Sequence, residues 1–211
     1  RLSAIKKRLI WDLPTRIFHW GLAICVFLSM LIVYGKKYLA LHLIFGIIAF
    51  SLIIGRIVWG FAGTKYVKFK AFFKDFNEVK KEFSLTDTTT SHTVGHPAVA
   101  GWVMLLLIGS AFATGASGIW LLEFAAKEQK ELAFTVHEIF ANTVLVIAFI
   151  HLQGVMLHIF LHRDGIVQGM INGKRPAKKE EEIGTLNPSQ KIIAAIWLGG
   201  SFAAAFLYLN S

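Results

Sequence analysis

The sequence predicts an all-α transmembrane protein, in which a four-helix bundle is followed by a fifth, C-terminal transmembrane helix. Three observations support this fold class. Of the 211 residues, 55% are apolar, the mean hydropathy is +0.57, and the apolar residues form long runs. These runs have no alternating polar positions, which is typical of helices that span a membrane.

Five apolar runs are each long enough, at about 1.5 Å per residue, to cross a hydrocarbon core about 30 Å thick. They cover residues 17–34, 38–61, 98–122, 135–161 and 192–209. The first run is too long for a cleavable signal peptide and is followed by Lys36 and Lys37, so we expect it to stay in the protein. The one cysteine, Cys25, lies within it, which excludes an intrachain disulfide, a cysteine-based zinc site and an iron–sulfur cluster.

The distribution of basic residues predicts the orientation in the membrane. Eighteen of the 22 Lys and Arg residues fall in the N-terminal segment, near the end of the second span (Arg56), or in the second and fourth connections between spans. The positive-inside rule therefore places the N-terminus in the cytoplasm and the end of the fifth span outside. The net charge of +9 is explained by this topology, and no aromatic and basic nucleic-acid-binding module accompanies it.

Two polar connections have distinct patterns. In the second, apolar residues recur at helical spacing among lysines, which predicts a helix on the anionic membrane surface or, alternatively, a partner-docking surface. These residues are Phe69, Phe72, Phe73, Phe76, Val79 and Phe83. Residues 176–191 are rich in charges, Gly and Pro, and we expect a cytoplasmic linker there.

Histidines are unusually frequent in the apolar runs, and their heights in the membrane match in pairs. His151 lies 14 residues after His137, about 21 Å further along the same helix face. His19 and His42, which flank the turn between the first two spans, should differ in height by about 20 Å. The sequence therefore predicts two cross-helix pairs, His42 with His137 and His19 with His151.

Paired histidines at two heights favour haem as the ligand. Haem iron takes two axial ligands on opposite sides of a flat ring, and two facing helices can supply one each. Zinc instead takes three or four converging ligands, and no such cluster is visible in the sequence. A single histidine could merely form a hydrogen bond between helices, but four at matched depths are poorly explained in that way.

Other residues on these faces have two interpretations each. Arg56 lies 14 residues beyond His42 and could pair with a haem propionate or extend to the membrane interface. His158 could contact a propionate or a quinone headgroup, or form a hydrogen bond at the helix end. Several glycines could let a flat ring approach the backbone or could serve close helix packing. They are Gly46, Gly101, Gly109, Gly115 and Gly118.

Four segments resemble a bacterial di-haem cytochrome b family that includes the membrane subunit of nickel–iron hydrogenases and the superoxide oxidase. They read WDLPTRIFHW, LHLIFGIIAFSLIIGRIVWGFAGTKYVKF, VGHPAVAGWVMLLL and VHEIFANTVLVIAFIHLQGVMLHIFLHRDGIVQGMINGKR. The resemblance covers residues 10–175 and implies a four-helix domain that holds two b haems. It implies axial ligands at His19, His42, His137 and His151. The GHPAVAG segment departs from the family pattern, so His96 is expected to be a helix-entry residue ahead of Pro97.

These features predict a membrane cytochrome without a catalytic residue of its own. It would transfer electrons between the quinone pool and a periplasmic redox partner, such as a c-type cytochrome or a hydrogenase subunit, within a larger respiratory complex. One alternative is a stand-alone oxidoreductase that passes electrons from superoxide to quinone. Another is a metal transporter or structural anchor that binds no haem.

Overall fold

A computed structural model of the protein describes residues 6–32, 38–73, 98–162 and 165–210. In these residues the chain forms six α-helices, five of which are long and apolar enough to span a membrane. The helices are α1 (Leu13–Leu31), α2 (Leu39–Ala62), α3 (Ala98–Ile119), α4 (Lys130–His162), α5 (Ile166–Asn172) and α6 (Pro188–Leu209). The predicted all-α transmembrane bundle is confirmed.

Two of the membrane helices, α1 and α6, begin four residues earlier than the apolar runs predicted, and each begins after a polar N-cap residue. At α1, Asp12 Oδ1 accepts a hydrogen bond from the Thr15 backbone N–H at 2.8 Å, and Pro14 occupies the first turn. At α6, Asn187 Oδ1 accepts a hydrogen bond from the Gln190 backbone N–H at 2.8 Å. Such caps satisfy N–H groups that lack a partner within the helix. A hydropathy window cannot detect them.

Helices α3 and α4 are joined by tight turns. Residues Trp120–Phe124 form a π-helical turn at the end of α3, and Lys127–Gln129 form a 3₁₀ turn. Helix α4 then runs for 33 residues and packs along α3. The short connection makes the two helices antiparallel neighbours.

A two-stranded antiparallel sheet closes the end of the bundle that holds the N-terminus, which we call the lower end. Strand β1 (Lys6–Leu9) pairs with β2 (Lys174–Ala177), with Leu9 opposite Lys174. The Gly173 carbonyl accepts hydrogen bonds from the N–H groups of Ile10 (2.8 Å) and Trp11 (3.1 Å). Gly173 has φ +80°, and a Cβ there would lie 2.7 Å from the Trp11 carbonyl oxygen, so only glycine fits. The sequence did not predict these strands.

Helix α6 belongs to the bundle rather than standing apart from it. It packs against α2, which also packs against α1 and α3. The Trp197 indole lies against Gly55, where a Cβ would collide with it, and donates a hydrogen bond to the Leu52 carbonyl at 2.9 Å. Gln190 Nε2 donates to the carbonyls of Ala62 (3.0 Å) and Gly63 and so caps the end of α2.

We expect Trp197→Ala to lower the free energy of unfolding by about 3 kcal/mol or more, because it removes a buried indole from the α2–α6 contact. The indole is 6% exposed. Phe206→Ala is the matched control, since Phe206 lies on the same helix with 67% of its side chain exposed. Denaturant titration of the detergent-solubilised protein measures both. Equal losses for the two variants would contradict the proposed role of α6 as an integral part of the bundle.

The start of the second connection does not form the predicted surface helix. Its described part has only a short 3₁₀ turn at Phe69–Ala71, and Phe72 is fully buried. That prediction is therefore wrong for Phe69 and Phe72, whose rings pack inward around the Arg56 guanidinium. Phe73 is exposed, as the prediction required. Phe76, Val79 and Phe83 lie outside the described residues.

Candidate functional site

The structure brings the four singled-out histidines together as two pairs. At the lower level, the rings of His19 on α1 and His151 on α4 have centres 6.5 Å apart and planes at 64°. At the upper level, the rings of His42 on α2 and His137 on α4 have centres 6.3 Å apart and planes at 85°. Each pair therefore joins α4 to a helix on the other side of the bundle.

These separations suit one metal ion between two imidazoles. Each nitrogen–metal bond is about 2 Å and each ring centre lies about 1 Å behind its nitrogen, so the ring centres would be about 6 Å apart. Two imidazoles joined by a direct, in-line hydrogen bond would have centres about 1 Å closer. Across the described ranges, no group of three or more His, Cys, Asp or Glu side chains is placed to hold a metal ion. The donor sets are thus two-histidine sets, which suit haem iron.

The helix arrangement leaves room between the paired histidines. Helix α4 packs along α3 but has no comparable packing against α1 or α2, although its histidines face theirs. On α2, one turn after His42, a Cβ added to Gly46 would meet no atom within 4 Å. At the upper level a flat group could therefore approach α2 without displacing its backbone.

Backbone carbonyls orient both rings of the upper pair. The Nδ1 atom of His42 lies 3.0 Å from the Ser29 carbonyl oxygen, and that of His137 lies 3.0 Å from the Thr114 carbonyl oxygen. A carbonyl can only accept, so each Nδ1 carries the proton and donates it. In the neutral rings, each Nε2 then keeps the lone pair that a metal requires.

Helix α3 supports the His137 ring from behind. Ser117 Oγ lies 3.3 Å from His137 Nδ1, and a Cβ added to Gly118 would lie 3.2 Å from His137 Cε1. Glycine at 118 thus lets the imidazole lie close to the α3 backbone. Gly101 and Gly115 serve close packing instead, because added Cβ atoms there would collide with Phe72 and Phe50.

The lower pair has a different surrounding. His19 Nδ1 is buried and has no hydrogen-bond partner among the described residues. The His19 ring contacts the Trp20 ring edge-on, with centres 5.0 Å apart. The Trp20 indole in turn donates a hydrogen bond to the Met170 carbonyl at 3.0 Å. This contact ties the neighbourhood of His19 to α5.

Arg56 is buried in an aromatic cage at the lower end. Its Cζ lies 5.4 to 5.9 Å from the ring centres of Phe18, Phe69 and Phe72, which are suitable distances for cation–π interactions. Nη2 donates to the Val67 carbonyl at 2.9 Å, whereas Nη1 is buried without a hydrogen-bond partner among the described residues. The side chain is 2% exposed, which excludes the alternative that it extends to the membrane interface.

A buried network holds α1 and α2 in register beside this cage. Asp12 Oδ2 accepts a hydrogen bond from Thr64 Oγ1 at 2.6 Å, and Trp59 Nε1 donates to Thr15 Oγ1 at 3.2 Å. These bonds join the start of α1 to the end of α2 and the residues after it. They set the height of His19 relative to Arg56.

The remaining histidines are less well defined by the structure. His158 is half-buried on α4, seven residues and about 10 Å below His151. His96 and the preceding polar loop lie outside the described residues. The sequence did not reveal the residues that orient the upper pair of histidines, namely Ser29, Thr114 and Ser117. Only the glycine at 118 was visible as a candidate for close approach.

The comparisons with known proteins identify the family. A family model described as prokaryotic cytochrome b561 matches residues 10–173, which include all four paired histidines and Arg56. No curated protein and no solved structure matches the chain. The match covers well over half of the sequence and ends before α6 begins. The chain therefore belongs to the prokaryotic cytochrome b561 family and is a multi-pass bacterial membrane protein that binds haem b and takes part in electron transfer.

Proposed function

We propose that this chain is a di-haem cytochrome that moves electrons across the membrane between a quinone at its lower end and a redox partner at its upper end. We propose further that it serves as a subunit of a larger respiratory complex. The observation that carries the proposal is the pair of two-histidine sets, with ring centres 6.3 and 6.5 Å apart at two heights along α4.

The two levels provide a route across the bilayer. His137 and His151 lie 14 residues apart on α4, which corresponds to about 21 Å along the helix axis. When bound, haem would supply one-electron redox chemistry, and two histidine donors for each iron would leave no position for a substrate. The protein's own tasks would be to supply four imidazole donors, through Nε2 in the upper pair, to hold their orientation and to exclude water.

The surroundings of the lower pair support a propionate partner. The buried Nη1 of Arg56 has no hydrogen-bond partner among the described residues, and Phe18, which contacts its guanidinium, directly precedes His19. A buried guanidinium with an unpaired N–H is costly unless an acceptor reaches it. We assign that acceptor as a haem propionate carboxylate at the lower level.

The proposed orientation puts the lower end in the cytoplasm. The basic strands β1 and β2 and the basic residues that follow α2 all lie at this end, which agrees with the positive-inside rule.

We propose residues 10–175 as the haem domain and His158 as a contact of the quinone headgroup at its lower boundary. Residues 176–187 then connect this domain to α6, which begins four residues before the predicted position 192.

The first test is the haem content of the purified chain. We expect a reduced-minus-oxidised spectrum with sharp low-spin b-type bands and about two haems per polypeptide, one for each histidine pair. A pyridine haemochrome assay with protein quantification measures the ratio. A maximal loading of one haem would reject the di-haem proposal while leaving the family assignment in place. Activity with superoxide and quinone in the isolated chain would favour the stand-alone oxidoreductase.

A further inference from the structure

A basic cavity at the lower end lies apart from both histidine pairs. It has a volume of about 680 Å³ and is formed where the residues after α2 meet the segment that leads into α6. Its lining includes the exposed side chains of Lys65, Lys68 and Lys70. The lining also contains one carboxylate, Glu182, which forms an ion pair with Arg8 at 3.3 Å. The cavity therefore carries a net positive charge.

The cavity wall is set by packing rather than by mobile side chains alone. A Cβ added to Gly63 would lie 2.6 Å from the Trp59 carbonyl oxygen, so the backbone here is tightly seated. Ile183, another lining residue, is 8% exposed. A Cβ added to Gly184, by contrast, would meet nothing within 4 Å, which leaves the cavity open on that side.

The helix ends at the cavity favour an anion. The C-terminal carbonyls of α2 would oppose negative charge, but Gln190 Nε2 donates hydrogen bonds to those of Ala62 and Gly63. Helix α6 begins at Pro188, so the positive end of its dipole is close to the cavity lining. The first arrangement lessens the repulsion of an anion, and the second adds to the attraction exerted by the three lysines.

The surroundings favour an anion that carries apolar chains. The cavity lies where α2 ends and α6 begins, which is the boundary between two membrane spans and the headgroup region. Phe61, two residues before the lining residue Gly63, is 70% exposed, and Ile192, two residues after Gln190, is 60% exposed. A free phosphate would make no use of these apolar surfaces.

We propose that this cavity binds the phosphate headgroup of an anionic phospholipid, with the acyl chains lying along the exposed apolar residues of α2 and α6. The lysines supply point charges for the phosphate, and basic pockets between membrane helices are suited to such headgroups. Bound lipid would join the residues after α2 to the start of α6, a region that lies outside the histidine pairs.

Native mass spectrometry of the haem-loaded protein tests this proposal. Phosphatidylglycerol, phosphatidylcholine with the same acyl chains, and inorganic phosphate are titrated separately and in competition. We expect at least tenfold tighter binding of phosphatidylglycerol than of phosphatidylcholine, and no displacement by equimolar inorganic phosphate. Equal binding of the two lipids would overturn the proposal. Displacement by phosphate would identify a site for soluble anions instead.

Two variants and a matched control locate the effect. Replacing Lys65, Lys68 and Lys70 together by Gln should remove the preference for phosphatidylglycerol. The control replaces Lys174, Lys178 and Lys179 by Gln, which removes the same charge from the lower end outside the cavity lining. Gly184→Leu should also weaken binding, because it fills the cavity with the lysines intact. Equal effects of the two triple variants, or normal binding in Gly184→Leu, would contradict a specific site. The haem spectrum of each variant shows independently whether the bundle is folded and loaded.

Discussion

We expect His151→Ala to reduce the haem content from about two to about one per polypeptide, because it removes one of the two donors at the lower level. In the unchanged protein the ring centres of His19 and His151 are 6.5 Å apart. In the variant the His19 ring would face α4 without a partner. The upper pair, His42 and His137, should retain its haem and its low-spin spectrum. Haem quantification and electron paramagnetic resonance of the oxidised protein measure the two levels separately.

His158→Ala is the control for this experiment, since His158 lies on the same helix and is half-buried. We expect it to retain two haems but to slow haem reduction by a quinol about tenfold or more, because the proposed contact of His158 with the quinone headgroup would position the quinol. His151→Gly with added imidazole should regain the lower haem. Loss of a haem in His158→Ala together with two haems in His151→Ala would show that the lower pair is wrongly assigned.

We expect Arg56→Met to lower the midpoint potential of the lower haem by tens of millivolts, on the order expected for removing one buried positive charge about 10 Å away. The change also deprives the Val67 carbonyl of its 2.9 Å donor. That loss should cost about 1 to 3 kcal/mol of unfolding free energy. Spectroelectrochemical titration measures both haems, and the upper one should be unaffected.

Arg56→Lys distinguishes charge from structure. Lysine keeps the positive charge within the cage of Phe18, Phe69 and Phe72 but cannot donate two hydrogen bonds in the planar arrangement of a guanidinium. We expect it to restore most of the potential and only part of the stability. Lower stability with unchanged potentials in both variants would show that Arg56 acts only in packing and not toward the lower haem.

Features that depend on local sequence were predictable. A membrane span is defined by the apolar content of one segment, so the five runs were found, with errors of a few residues where Asp12 or Asn187 caps a helix. Heights along a helix follow from the rise per residue alone. The comparison of heights therefore predicted which histidines face each other, and the structure places His19 by His151 and His42 by His137.

Features that depend on contacts between distant segments were not predictable. The β1–β2 sheet pairs residues more than 160 positions apart, and its short strands show no hydropathy pattern. Phe72 was predicted to lie on the surface, but it is buried against the Arg56 guanidinium. The spacing of apolar residues in one segment carries no information about a buried cation on another. The docking of α6 depends on Trp197 meeting a glycine on α2.

The sequence by itself thus determined the membrane class, the number of spans and the heights of the four histidines, because each follows from composition or from the rise of a single helix. Only the tertiary structure decided which nitrogen of His42 and His137 is held by the backbone and which keeps its lone pair, since the carbonyls that accept from Nδ1 belong to α1 and α3. It also decided that Arg56 is buried and that α6 is part of the bundle. Both result from packing between segments that are far apart in the chain.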